Sequence, residues 1–179
     1  MGSITTGGTM NNADYMRVLF DASYWARDRI LTAAEGMTEE EYAKDYGFTY
    51  KSLRGILTHA LFAENLYFLR LTGTPEPTTD SPEWISEANL PTIEAFKARA
   101  LDVEKLARSY LQTLTDEELE SELSFTRRDG IQVTQPRWQT LTQVVQHSIS
   151  HRSEAAEVLT MAGRSPGDLD FVVYMNSRS

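Results

Sequence analysis

Leu141-Thr-Gln-Val-Val-Gln-His147-Ser-Ile-Ser-His151-Arg152-Ser-Glu-Ala-Ala-Glu-Val158-Leu159-Thr-Met-Ala-Gly163 is the stretch that decides the fold. Leu141, Val144, Val145, Ala155, Val158, Leu159 and Ala162 recur at the three-and-four spacing of an amphipathic helix. Gly163 and Pro166 stop it. Gln143, Gln146, Ser150, Ser153 and Glu157 share one polar arc, and His147 and His151 stand at the edge of the apolar face. Four residues apart, the two imidazoles project from one side of the helix, one turn above the other. A single helix commonly offers two ligands to one metal ion in this way. The same pair would also suit an ordinary helix surface, with the rings bonded to water or a carbonyl.

Working outward, three more helices are expected. Tyr15, Val18, Leu19, Ala22, Ala26 and Ile30 form the stripe of helix one, capped by Asn11 or Asn12 and stopped at Gly36. Helix two runs from about Ser52 to Leu71, is apolar around much of its circumference and carries His59. Helix three spans about Ile93 to Leu114, with Phe96, Ala100, Val103, Ala107 and Tyr110 as its seam. Acidic segments after Thr38 and Thr115 each read as a capping box and one helical turn. Between helices two and three, residues 72–91 hold Pro75, Pro77 and Pro82 and read as a long crossover, with room for a short helix around Trp84. Asp129-Gly130 between β-prone runs predicts a small hairpin before helix four. Phe171, Val172, Val173 and Tyr174 are expected to pack back onto the helices. The fold class expected is all-α, a four-helix bundle over residues 11–179, with residues 1–10 a flexible leader.

The halves of the chain echo one another. Met37-Thr-Glu-Glu-Glu-Tyr corresponds to Leu114-Thr-Asp-Glu-Glu-Leu, and Ser52-Leu53-Arg-Gly-Ile-Leu-Thr-His59 to Thr140-Leu141-Thr-Gln-Val-Val-Gln-His147. Two helix pairs related by a pseudo-two-fold axis would bring His59 and His147 to equivalent places facing that axis. Ala63 stands where His151 would repeat. All three histidines of the chain then fall into one constellation, and three imidazoles with open positions left over describe a catalytic metal site. The competing reading for His59 is a core histidine bonded to a backbone carbonyl.

Composition narrows the function. The chain has 179 residues, a net charge of −9 and a pI near 4.8, which argues against a nucleic-acid partner and against anionic membrane faces. No apolar run approaches a membrane span, and no signal peptide is evident, so the cytoplasm is the expected location. With no cysteine, disulfides, thiolate nucleophiles and Cys-ligated zinc are excluded.

The His59 helix, the motif His147-Ser-Ile-Ser-His151-Arg152 and the ending Leu159-Thr-Met-Ala-Gly163-Arg-Ser-Pro166, followed by Asp168, Asp170 and Tyr174, resemble the DinB/YfiT-like family of metal-dependent proteins. The likeness covers nearly the whole chain from Asn12. It implies a four-helix bundle, commonly dimeric, with a divalent metal on three histidines, which here are His59, His147 and His151. Zinc and nickel are the first expectations for the ion, and iron and manganese also accept imidazole. The reaction is weakly implied, because relatives include thiol-cofactor S-transferases, a thiol-dependent isomerase and members of no known activity. The leading expectation is therefore metal-dependent chemistry with no catalytic residue assigned, either transfer of a small thiol to an electrophile or hydrolysis. The competing ones are a non-catalytic stress-response metal-binding protein and a metal-free interaction module.

Two further expectations concern packing. Phe62, Leu66 and Leu69 face away from Leu53, Leu57 and Leu71, which suggests a homodimer through helices or else a crossover that covers that side. Arg152 falls about 20° from Leu141 and Leu159 on the helical wheel, and Glu64 equally near Leu53 and Leu71. Each stands five residues after its histidine, so the two are expected to meet as an ion pair, unless Arg152 snorkels to solvent and Glu64 caps a backbone group.

Overall fold

Each long helix begins where a side chain can satisfy its open N–H groups. Asn11 accepts from the Asp14 N–H at 2.7 Å and starts α1 (Asn12–Ala33), and Thr38 with Glu41 forms a full capping box on α2 (Glu39–Ala43). Ser52 caps α3 (Leu53–Thr72) and Thr92 caps α4 (Ile93–Thr113). Thr115 caps α5 (Asp116–Glu120) through the Glu118 N–H alone, without the return bond seen at Thr38 among the described residues. The computed structural model describes residues 10–178, so the expected leader lies outside the described residues except for Met10.

After α5 come β1 (Glu122–Thr126) and β2 (Gln132–Pro136), paired antiparallel with Phe125 opposite Val133. The turn between them is closed by the Gly130 N–H on the Arg127 carbonyl, with Gly130 at φ 84° as the turn requires. Then α6 (Arg137–Met161) starts directly after Pro136, one turn earlier than Leu141, and α7 (Phe171–Ser177) ends the described chain. The chain is mostly helical with one small hairpin. No helix among the described residues is long and apolar enough to cross a membrane.

The four long helices are neighbours in the order α1–α6–α3–α4 and back to α1. Two apolar clusters fill the space between them. One gathers Leu53, Leu57 and Leu61 of α3 with Ala155, Val158 and Leu159 of α6. The other gathers Phe68 and Leu71 of α3 with Leu141, Val144 and Val145 of α6. Early α3 thus meets late α6 and the reverse, so the two helices run antiparallel.

The crossover differs from expectation in two respects. It forms turns, with no helix at Trp84. It also belongs to the core, because Ile85 and Leu90 are buried in the first cluster. A loop with four prolines has fewer backbone donors to satisfy, and apolar side chains can anchor it. Trp84 meets Phe62 edge to face at 5.4 Å, with the Arg128 guanidinium 4.7 Å from both rings. Phe62 is therefore covered within the chain, and Leu69 is buried. The tail also packs less than expected. Tyr174 is buried against Trp25, while Phe171 and Val172 are exposed because α7 presents only one face to α1.

Ile85→Ala should destabilise the protein by about 2–4 kcal/mol, as for an aliphatic residue in a helical core. Urea denaturation with an unchanged m-value checks it, and a loss below about 0.5 kcal/mol would show the crossover to be loosely attached.

Candidate metal centre

Antiparallel packing of α3 on α6 brings His59 against His147, and the four-residue step along α6 adds His151. The His59 and His147 Nε2 atoms are 3.1 Å apart, and those of His147 and His151 are 3.2 Å apart. All three ligand atoms lie within 4.8 Å of one another, so the sequence-predicted residues are brought together without exception. Three nitrogens each about 2.1 Å from one ion would stand about 3.0–3.4 Å apart, the range in which both contacts of His147 fall.

Proton bookkeeping favours a cation as well. The His151 Nδ1 lies 2.7 Å from a Glu154 carboxylate oxygen, which places the proton on Nδ1 and leaves Nε2 as a lone pair. The His147 Nε2 faces His59 and His151 at once, and one N–H can donate to only one of them. At least one of the two contacts is then left without a hydrogen bond. Burial lowers the His59 pKa and pushes that of His147 down to about 4, each helped by the charge of neighbouring imidazoles. His147 is thus neutral at pH 7, the form that coordinates metals.

Two residues that sequence reasoning missed complete the site. Tyr50 stacks on His59, ring centroids 3.9 Å apart and planes 17° from parallel, and also meets the edge of His151. It reaches this place because the loop before α3 folds tightly, with Lys51 at φ 62° and the Ser52 N–H donating to the Tyr50 carbonyl. That carbonyl then lies over the first turn of α3, where a Cβ on Gly55 would stand 2.1 Å from its oxygen. Only glycine allows so close an approach. Nothing in the spacing of Tyr50 from His59 signals this contact. Glu154 was findable, since it stands three residues after His151 on the same helix.

The expected pairing of Glu64 with Arg152 is not found. Glu64 accepts from the Tyr24 hydroxyl at 2.9 Å, and Arg152 donates to the Ser23 hydroxyl at 2.5 Å, so both turn to α1. Hydroxyls on α1 satisfy each group locally, which spares the pair the geometry a direct contact would demand. Both residues keep some exposed surface, yet their charged ends are crowded enough that desolvation raises the Glu64 pKa and pushes that of Arg152 down to about 10. Each still feels the other's charge.

A family model, the DinB family, matches residues 10–178. The chain belongs to the DinB family. No curated protein matches it. For this DinB-family chain, a divalent ion on the three histidines is consistent with both the family and the geometry.

In metal-free protein, His147 should remain neutral at pH 6, where a free histidine is largely charged; the imidazole nitrogen shifts in 15N NMR read this directly. Because its folded pKa (about 4) lies below the ordinary 6.5, the unfolded chain binds more protons between those values. Its contribution to stability should therefore be lost as pH falls from 6.5 towards 4. A His147 titration midpoint near 6.5 would contradict the burial of this ring.

Proposed function

We propose that His59, His147 and His151 hold one divalent ion through Nε2 and that the protein is a metal-dependent enzyme acting on a small thiol and an electrophile. The four long helices make a four-helix bundle around this site, with residues 73–92 as the crossover. The convergence of the three Nε2 atoms carries the proposal. When bound, the ion supplies Lewis acidity that makes a thiol or water a better nucleophile at neutral pH.

The protein's own residues prepare the place. Glu154 fixes the His151 tautomer, and Tyr50 holds the His59 ring by its face and shields it from water. A nitrogen-only donor set suits zinc or nickel, and also iron or manganese. The thiol reading is supported by the family resemblance, and the chain has no cysteine to compete for the ion or the electrophile, which is compatible with it. Hydrolysis would use the same site with water as nucleophile. The second reading, a non-catalytic stress-response metal-binding protein, is supported by the engagement of the ionisable side chains that touch the rings, Glu154 bound to the His151 Nδ1 and Tyr50 stacked on His59.

Elemental analysis should find one divalent ion per chain, and His59→Ala, His147→Ala or His151→Ala should each lose most of it while keeping the helical circular dichroism. The metal-loaded protein should accelerate thiol consumption across a panel of electrophiles, and the chelated protein should not. Metal binding without acceleration would favour the non-catalytic reading, and no metal uptake would end both.

A homodimer is proposed as well, on a different face from the one first expected. Tyr15, Ile149 and Phe171 are 50%, 45% and 45% exposed and surround a groove of about 340 Å³ between α1, α6 and α7. Light scattering at micromolar concentration should give twice the chain mass, with Ile149→Glu shifting it to the monomer. A wild-type monomer would remove the proposal.

A further inference from the structure

A cavity of about 670 Å³ lies between α3, the start of α6 and the hairpin. That is the size of a small-molecule site. Its walls combine Leu66, Tyr67, Phe125 and Val133 with three arginines, Arg70, Arg127 and Arg128. In a chain of net charge −9 such a gathering of cations stands out.

The arginines are not equally engaged. Arg127 pairs with Asp129 at 2.8 Å, and Arg128 pairs with Glu76 at 2.9 Å while lying over Phe62 and Trp84. Arg70 is different. Its side chain is 11% exposed, its nearest carboxylate is Glu76 at 3.8 Å, and among the described residues its guanidinium makes no hydrogen bond. Its face rests on Phe125, 4.4 Å from the ring centroid, which leaves the edge with its donors open to the cavity. A guanidinium packed on an aromatic ring and without a hydrogen-bonded partner keeps its donors available for a planar anion. Desolvation, with Arg128 and Arg127 adding repulsion, pulls its pKa down, the direction expected of a cation short of partners.

The charges set the class of ligand. Three guanidiniums against Glu76 and Asp129 leave one positive charge unmatched, enough for a monoanion, while a dianion would be repelled by the two carboxylates. Gln139 and Gln143 of α6 make no side-chain hydrogen bonds among the described residues and add amide donors to the lining. Apolar and aromatic side chains line the rest. We infer that this cavity is a binding site for an organic monocarboxylate with an apolar body, its carboxylate held by Arg70. The cavity also lies on the α3–α6 seam: Leu66 stands seven residues beyond His59, and Gln143 one turn before His147. At 1.5 Å per residue the His59-to-Leu66 step is about 10 Å, within reach of a ligand whose other end acts at the histidines. Only this second role, as a substrate subsite, rests on the proposed metal chemistry.

Benzoate and its neutral isostere benzamide test the site in the full chain treated with chelator, so that no metal can take the carboxylate. In 1H–15N spectra, benzoate should saturably shift amides of Leu66 to Arg70 and of Phe125 to Asp129, and benzamide should bind at least about tenfold more weakly. Arg70→Gln should weaken benzoate by about tenfold or more, and His59→Ala should leave it unchanged. Equal affinity for the two probes, wild-type affinity in Arg70→Gln, or shifts centred on His59 and His147 would each overturn the inference. If Arg70→Gln does not fold, the comparison of the two probes in the wild-type protein decides alone. Elemental analysis is independent of this result, so a protein that binds benzoate but no metal keeps the carboxylate site and loses the metal reading.

Discussion

The antiparallel contact of α3 with α6 is what the rest of the molecule depends on. Leu53 and Leu141 are fully buried anchors, each six residues before a histidine and each near the N-terminal end of its helix. In antiparallel helices those anchors lie at opposite ends of the seam. Six residues inward is about 9 Å along each axis, so the two histidines arrive at the same level from opposite directions. The repeated sequence thus works as a ruler, and a slip of one residue on either helix would turn a ring about 100° away from the other.

The remaining long helices hold that seam in place with polar as well as apolar contacts. Tyr24 and Ser23, adjacent on α1, take Glu64 from α3 and Arg152 from α6. One turn on, Arg27 of α1 bonds Glu104 of α4 at 2.5 Å. Partly desolvated charges contribute little net stability, but each is satisfied in only one arrangement of the helices. The α1 helix therefore acts as a register key for the ligand pair, which explains why charges interrupt the apolar faces of both α3 and α6.

How far the sequence was legible depended on whether a feature is local. Helical periodicity, the Asn11 cap and stops such as Gly36 and Gly163 depend on near neighbours, and they located α1, α3, α4 and α6 to within a few residues. The four-residue step from His147 to His151 is local too, and the repeat supplied His59. Tyr50 was not legible, since its place over His59 follows from a loop turn and from the missing Cβ of Gly55. Glu64 and Arg152 stood out as charges on apolar faces, yet their partners lie on a third helix that no wheel of α3 or α6 contains. The prolines of the crossover marked a loop without showing that Ile85 and Leu90 enter the core. Arg70 likewise gained meaning only when the hairpin brought Phe125, Arg127 and Arg128 beside it.

The position of the histidines within the core carries a last consequence. The first apolar cluster takes α3 as far as Leu61 and α6 from Ala155 onward, and the second takes Phe68 and Leu71 with α6 up to Val145. On α6 His147 and His151 fall between Val145 of one cluster and Ala155 of the other, and on α3 His59 falls between Leu57 and Leu61 of the first. Aliphatic residues at these half-buried positions would avoid the desolvation that depresses the His59 and His147 pKa values. The edge of the seam instead carries three convergent nitrogen ligands, with Glu154 and Tyr50 holding two of the rings. Departures from the packing optimum concentrate where a protein binds or reacts, and this one is confined to the single level of the seam at which α3 and α6 can both contribute a ligand.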